Sequence, residues 1–96
     1  MELAEQHEID AALERGWRPR GQALTRELSF RDFEEAMSFA REIAAHAVDY
    51  FRRPDLSIRS NRLELTVENL HHAGFTRAEM RLIAKASDVI ERHQAG

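Results

Sequence analysis

The 96-residue sequence contains no cysteine. This absence excludes a disulfide framework, thiolate catalysis and a cysteine-based zinc site, so stability must come from packing. No apolar run approaches the roughly 20 residues that a membrane-spanning helix needs. The first ten residues hold four acidic side chains and no Lys or Arg, unlike a secretory or transit peptide. We therefore expect a cytoplasmic protein with no membrane partner.

The overall charge limits the partners further. Fourteen Lys and Arg residues stand against 17 Asp and Glu residues, which gives a net charge of −3 and argues against binding to a phosphate backbone. The composition is that of an ordinary globular protein, and we expect one domain over residues 1–96. From this charge we predict no nucleic-acid partner. Because so small a domain has a limited core and an exposed strand edge, we predict a homodimer.

Hydrophobic periodicity predicts the first half of the fold. Residues 3–14 suit a short amphipathic helix that ends at Gly16, and residues 17–20 and 23–30 suit a β-hairpin. Asp32 and Glu35 then form a capping-box-like helix start. The predicted buried stripe of this long helix is Phe33, Ala36, Met37, Ala40, Ile43, Ala44, Ala47 and Phe51. Pro54 ends the helix.

The second half of the sequence predicts another hairpin followed by another helix. Apolar alternation predicts strands at residues 56–60 and 63–68, joined tightly at Asn61. Thr76 and Glu79 form a second capping box ahead of a final amphipathic helix. The order α-β-β-α-β-β-α predicts an α+β fold, in which a four-stranded antiparallel sheet carries its helices on one face.

Short motifs in this order carry a family resemblance. They are Gly16-Trp17, Phe30 with Phe33, Arg53-Pro54-Asp55, Asn61-Arg62 and Ala73-Gly74-Phe75-Thr76. Over about residues 9–92 the chain resembles the pterin-4a-carbinolamine dehydratases. The resemblance implies a dimer or tetramer that dehydrates 4a-hydroxytetrahydropterin, with a His-His-Pro segment after the long helix and a third histidine at the end of the fourth strand.

The sequence departs from that family at its catalytic positions. Arg52-Arg53 replaces the histidine pair, and Leu70 replaces the third histidine. Val48 and Leu56 stand where the family often has an acidic and an aromatic residue. Because arginine cannot cycle a proton near neutral pH, we assign no catalytic residue and predict no cofactor.

An alternative keeps the activity with a displaced active site. His71 and His72 lie next to the expected third histidine, and Glu79 stands where the family usually has Asp, although Glu79 is already explained as a capping residue. Adjacent histidines do not readily share one ion and no third ligand is evident, so we predict no metal site.

Basic residues between positions 52 and 62 suggest a binding surface. The candidate partner-binding residues are Tyr50, Arg52, Arg53, Arg59 and Arg62. Arginine favours interface hot spots and binds carboxylates in a bidentate manner. A solvated face and an anion pocket remain the alternative interpretations.

In lacking the histidine pair, the chain resembles a degenerate branch of the family. That branch is associated with α-carboxysomes and Rubisco assembly. The resemblance implies a non-catalytic homodimer that binds Rubisco large subunits, with a carboxysome-associated location. An active dehydratase and a transcriptional coactivator-like dimerisation partner are the alternatives.

Overall fold

The computed structural model describes residues 2–50, 52–69 and 74–95. Among these described residues, three helices and four strands follow one another in the predicted order, so the α-β-β-α-β-β-α prediction is confirmed. The elements are α1 (Gln6–Glu14), β1 (Arg18–Arg20), β2 (Ala23–Ser29), α2 (Phe33–Asp49), β3 (Asp55–Arg59), β4 (Arg62–Glu68) and α3 (Arg77–Ala95).

The four strands form one antiparallel sheet in the order β1-β2-β4-β3. Strands β1 and β3 are therefore its two edges. The β3–β4 hairpin turns within two residues, and Ser60 takes a positive φ of 55° there. Arg59 and Arg62 consequently lie directly opposite each other where the two strands meet.

The two faces of the sheet differ in chemistry, because successive strand residues point to opposite sides. One face packs under the helices and supplies the core residues Leu24, Leu28, Leu63, Leu65 and Val67. The opposite face, here called the outer face, carries mainly charged and hydroxyl side chains. Burial thus fixes the register, since a one-residue slip would expose the leucines.

Helix α2 begins as predicted but is rotated relative to the predicted stripe. Asp32 caps it by accepting a hydrogen bond from the Glu35 backbone N–H at 2.8 Å. Its buried residues are Ala36, Phe39, Ala40, Ile43 and Ala47. Phe33 and Ala44 were expected to be buried, but Phe33 is 52% exposed and Ala44 is exposed too, while Phe51 of the predicted stripe lies outside the described residues. Many alanines lie around this helix, so its large side chains, Phe39 and Ile43, decided the rotation through packing.

Helices α1 and α3 are held together by charged and buried contacts. Arg15 donates hydrogen bonds to Asp88 and Glu91, and this pairing lowers the pKa of Glu91. The buried Trp17 indole N–H donates to the Ser87 hydroxyl at 2.9 Å. In the part of the chain that the structure describes, no helix is sufficiently long and apolar to span a bilayer.

Candidate functional site

The first arginine pair, Arg52 and Arg53, lies at the junction between α2 and β3 and is here called the junction pair. The Arg52 backbone N–H donates to the Ala47 carbonyl at 3.0 Å, which completes the end of α2. The Arg52 side chain is half-buried and directed toward α3. Arg53 is exposed. The two neighbours therefore occupy different environments.

Arg52 approaches the N-terminus of α3. Its guanidinium lies 3.5 Å from the Thr76 hydroxyl and 4.0 Å from Glu79 Oε2. Glu79 is only 1% exposed, and a buried carboxylate is costly unless it is paired or hydrogen-bonded. Arg52 thus supplies a cation close to a buried anion.

The capping box at the start of α3 is present in full. The Thr76 backbone N–H donates to Glu79 Oε1 at 2.8 Å, and the Glu79 N–H donates to the Thr76 hydroxyl at 3.2 Å. These two bonds satisfy backbone donors that a helix start leaves without partners. Glu79 therefore has a structural task.

A polar pocket of about 180 Å³ opens at this junction. Its lining includes Arg52, Arg53, Asp55, Glu68 and Glu79. None of the described lining residues is a histidine. His71 and His72 of the alternative catalytic site lie outside the described residues, as does Leu70, which stands at the position of the third family histidine.

An apolar pocket of about 440 Å³ adjoins the junction between α2 and the edge strand β3. Val48, which is 72% exposed, and Leu56 contribute to its lining. Tyr50 is partly buried and packs against the core. Part of this side chain therefore contributes to the core, and the partner-binding role of Tyr50 stays a prediction.

The second pair, Arg59 and Arg62, lies at the β3–β4 hairpin and is here called the hairpin pair. Both side chains are exposed and lie on the outer face of the sheet. Four residue steps of β3, about 13 Å, separate its two ends. The predicted arginine cluster is therefore two pairs at opposite ends of one strand.

An acidic row beside the hairpin pair was not anticipated from the sequence. Glu27 on β2 lies opposite Glu64 on β4, one outer-face position away from Arg62. Glu64 pairs with Arg20 at 2.6 Å, and this hydrogen bond raises the pKa of Arg20. The charge alternation along β4 was visible in the sequence, but the neighbours depend on strand register.

No group of three or more His, Asp or Glu side chains is arranged to hold a metal ion among the described residues. The absence of a metal site remains a prediction for the whole chain, since two of its histidines are not described.

Comparison with protein families gives a consistent match. The family described as Pterin 4 alpha carbinolamine dehydratase matches residues 2–89. A putative pterin-4-alpha-carbinolamine dehydratase from Thermomicrobium roseum is 34% identical over 74 residues, which cover 77% of this chain and 80% of that protein. The Rhodospirillum rubrum protein of the same description is 38% identical over 68 residues, covering 71% of this chain and 70% of its own.

Two solved structures share the fold. A transcriptional coactivator/pterin dehydratase from Brucella melitensis superposes with a TM-score of 0.77 and 24% identity, covering 93% of this chain and 99% of its own. A pterin dehydratase-like protein described as a RuBisCO assembly factor in the alpha-carboxysome superposes with a TM-score of 0.65 and 18% identity. That superposition covers 78% of this chain and 89% of the neighbour.

Proposed function

The chain belongs to the pterin-4a-carbinolamine dehydratase family. We propose that it is a non-catalytic member, which acts as an assembly factor with Rubisco large subunit as its partner. The observation that carries this proposal is at the junction pair. A guanidinium, which cannot exchange a proton near neutral pH, lies where the family resemblance places a histidine.

The chemistry of dehydration explains why this substitution matters. Loss of water from a carbinolamine requires one group that protonates the leaving hydroxyl and one that removes the ring N–H proton. The junction pair supplies neither. Glu79 is held by the Thr76 backbone at 2.8 Å and lies near Arg52, so its carboxylate serves the helix start and the ion pair.

A protein-binding role suits the remaining features. Arginine side chains at both ends of β3 can form charge-assisted hydrogen bonds with carboxylates of a partner. A protein of the same fold is described as a RuBisCO assembly factor in the alpha-carboxysome, which supports Rubisco as the first partner to test and a carboxysome-associated location.

Self-association is part of the proposal. The edge strand β3 offers backbone groups for pairing, and Phe33 and Val48 leave apolar surface on the solvent side of α2. A homodimer that joins the two sheets edge to edge, or that pairs the α2 helices, would cover one of these features and is expected to bury more than about 1,000 Å² in total. Sedimentation velocity at micromolar concentration should detect a dimer, and a stable monomer would contradict this part.

Two measurements on the purified 96-residue chain test the main proposal. Dehydration of 4a-hydroxytetrahydropterin should proceed at the uncatalysed rate. Rubisco large subunit should be retained by the immobilised chain during assembly and released from the completed holoenzyme. Catalysis without retention of the large subunit would overturn the proposal.

An active dehydratase with a displaced site is the second candidate. It is favoured by the relatives that are described as putative pterin-4-alpha-carbinolamine dehydratases. Its residues would be His71, His72 and Glu79. Catalysis that is lost in a His71→Ala, His72→Ala double variant would establish it, while a matched His7→Ala, His46→Ala variant would retain the rate.

A coactivator-like dimerisation partner is the third candidate, because one solved structure of this fold is described as a transcriptional coactivator/pterin dehydratase. A complex with a transcription factor, formed without Rubisco binding, would favour it.

A further inference from the structure

The outer face beside the β3–β4 hairpin has an unusual arrangement of charge. Arg59 and Arg62 are direct cross-strand neighbours, a relation that brings Cβ atoms to about 4.5–5.5 Å and makes like charges repel. Within the described part of the chain, neither side chain has a hydrogen bond or an ion pair. The fold therefore holds two positive groups together without an internal counter-charge.

The hairpin pair borders a concave region. A pocket of about 580 Å³ lies here, and its lining includes Ser29, Ser57, Arg59 and Arg62. Ser29 is the cross-strand neighbour of Arg62 on the side away from Arg59. The two guanidinium groups and the flanking hydroxyls are hydrogen-bond donors. A single carboxylate can accept hydrogen bonds from several of them at once.

The acidic row limits the kind of anion that fits. Glu27 and Glu64 line the other end of the same pocket, about 7 Å from the hairpin pair along the strands. A polyanion that continued along β4, such as a nucleic acid, would meet these carboxylates. A localised negative charge, followed by a neutral or basic group, matches the surface better.

A second copy of the chain is a poorer fit for this face. The centre of a self-association interface is usually apolar, whereas this pocket is bordered mainly by charged and hydroxyl groups. The exposed apolar residues Phe33 and Val48 lie on α2, outside the lining of this pocket. Self-association through that helix would leave the hairpin pair free to bind another protein.

We propose that the outer face at the β3–β4 hairpin is a docking site for an acidic segment of a partner protein, with one Asp or Glu carboxylate bound between Arg59 and Arg62. The proposal deepens the proposed function and relies on it for the presence of a protein partner, although not for that partner's identity. It also assigns carboxylate recognition to the hairpin pair rather than to Arg52.

The direct test uses the full chain and a short extended Gly/Ser peptide with a single central Glu. Backbone amide NMR shifts should change at Ser29, Ser57, Arg59 and Arg62 as the acidic peptide is added. The corresponding peptide with Gln in place of Glu should cause no such change. Raised salt should weaken binding because exposed charges are screened.

Three double variants locate the site. Arg59→Ala, Arg62→Ala should weaken peptide binding at least about tenfold, which corresponds to about 1.4 kcal/mol. Arg41→Ala, Arg81→Ala removes the same charge from exposed positions on α2 and α3, so peptide affinity should stay within about twofold, or about 0.4 kcal/mol. Arg59→Glu, Arg62→Glu should lose the acidic peptide and bind the corresponding peptide with a single central Lys instead.

Several outcomes would overturn the inference. These are no shift at millimolar peptide, equal shifts with the Gln peptide, shifts confined to the junction pair, preferential binding of a single-stranded oligonucleotide, and concentration-dependent shifts of this face without peptide.

Rubisco retention separates the two proposals. Peptide binding at the hairpin pair without Rubisco retention would preserve the docking site and contradict the proposed function. Rubisco retention that survives Arg59→Ala, Arg62→Ala would preserve the proposed function and contradict the docking site.

Discussion

The two ends of β3 use the same residue type in different ways. At the junction with α2, Arg52 lies half-buried beside the carboxylate of Glu79 and the hydroxyl of Thr76. At the hairpin, Arg59 and Arg62 lie exposed beside each other, and neither has an ion pair within the described residues. Charges that cluster in a sequence can thus serve stability at one end of a strand and remain available for binding at the other.

The cause of this difference is what each end faces. The junction passes the N-terminus of α3, where a buried acid caps the helix. The hairpin turns within two residues and projects its arginines to the outer face, where their direct cross-strand neighbours are Ser29 and one another. Tertiary neighbours, rather than residue type, decide the role of each arginine.

The largest expected change in the free energy of unfolding is for substitution of Glu79, whose carboxylate lies near Arg52. Glu79→Ala removes the acceptor for the Thr76 N–H and leaves Arg52 without its nearby carboxylate, so we expect a loss of about 2–4 kcal/mol in the free energy of unfolding. Urea denaturation measures this. Glu79→Gln keeps an oxygen acceptor and should lose less. Wild-type stability in Glu79→Ala would show that the junction does not depend on this acid.

Substituting the two residues of the junction pair one at a time should give the next largest change in the free energy of unfolding. Arg52→Ala is expected to lose about 1–2 kcal/mol, because Glu79 stays buried without the nearby cation. Arg53→Ala removes an exposed charge and should change stability by less than about 0.5 kcal/mol. Thermal and urea unfolding of the two single variants provide a matched pair. Equal losses would remove the distinction between these neighbours.

The hairpin pair should respond in the opposite direction. Arg59→Glu replaces a like-charge pair with an opposite-charge pair across β3 and β4, so we expect a gain of about 0.2–1 kcal/mol in the free energy of unfolding. Arg59→Gln, which only removes repulsion, should gain less. High salt should reduce the gain in urea unfolding measurements. A loss of stability would indicate that Arg59 has a structural role.

The smallest expected effect is on the pH dependence of the free energy of unfolding. It should depend on the ion pairs of Arg15 and Arg92 and not on the hairpin pair. Hydrogen bonds from Arg15 lower the pKa of Glu91, and those from Arg92 lower the pKa of Glu42, below the ordinary value of 4.5. A folded-state pKa that is lowered contributes stability at pH above 4.5, and this contribution is lost as pH falls through the folded-state value. Stability should therefore decrease in acid.

Urea unfolding of the Arg15→Ala variant at several pH values tests this assignment. The decrease in stability below pH 4.5 should be shallower than in the wild-type chain, whereas Arg59→Ala, Arg62→Ala should keep the wild-type slope. Parallel slopes for wild type and Arg15→Ala would contradict the role of Arg15.

Much of the fold could be predicted from the sequence because its determinants are local. Strand alternation placed Leu63, Leu65 and Val67 on the buried face, and the capping patterns at Asp32 and Thr76 located two helix starts. Hairpin connections then favour an antiparallel sheet. The rotation of α2 was predicted less well, because alanines around the helix give a weak periodic signal and Phe39 packs in preference to Phe33.

The sequence by itself determined the order of elements, the buried face of the sheet and the presence of a basic segment. Only the tertiary structure decided that Arg52 lies beside Glu79, that Tyr50 is partly buried, and that Arg59 faces Arg62. The physical reason is the separation in sequence between the residues that interact. Periodicity and capping act within a few residues, whereas ion pairing and strand register join residues from separate elements, and their neighbours exist only once the sheet and helices have packed.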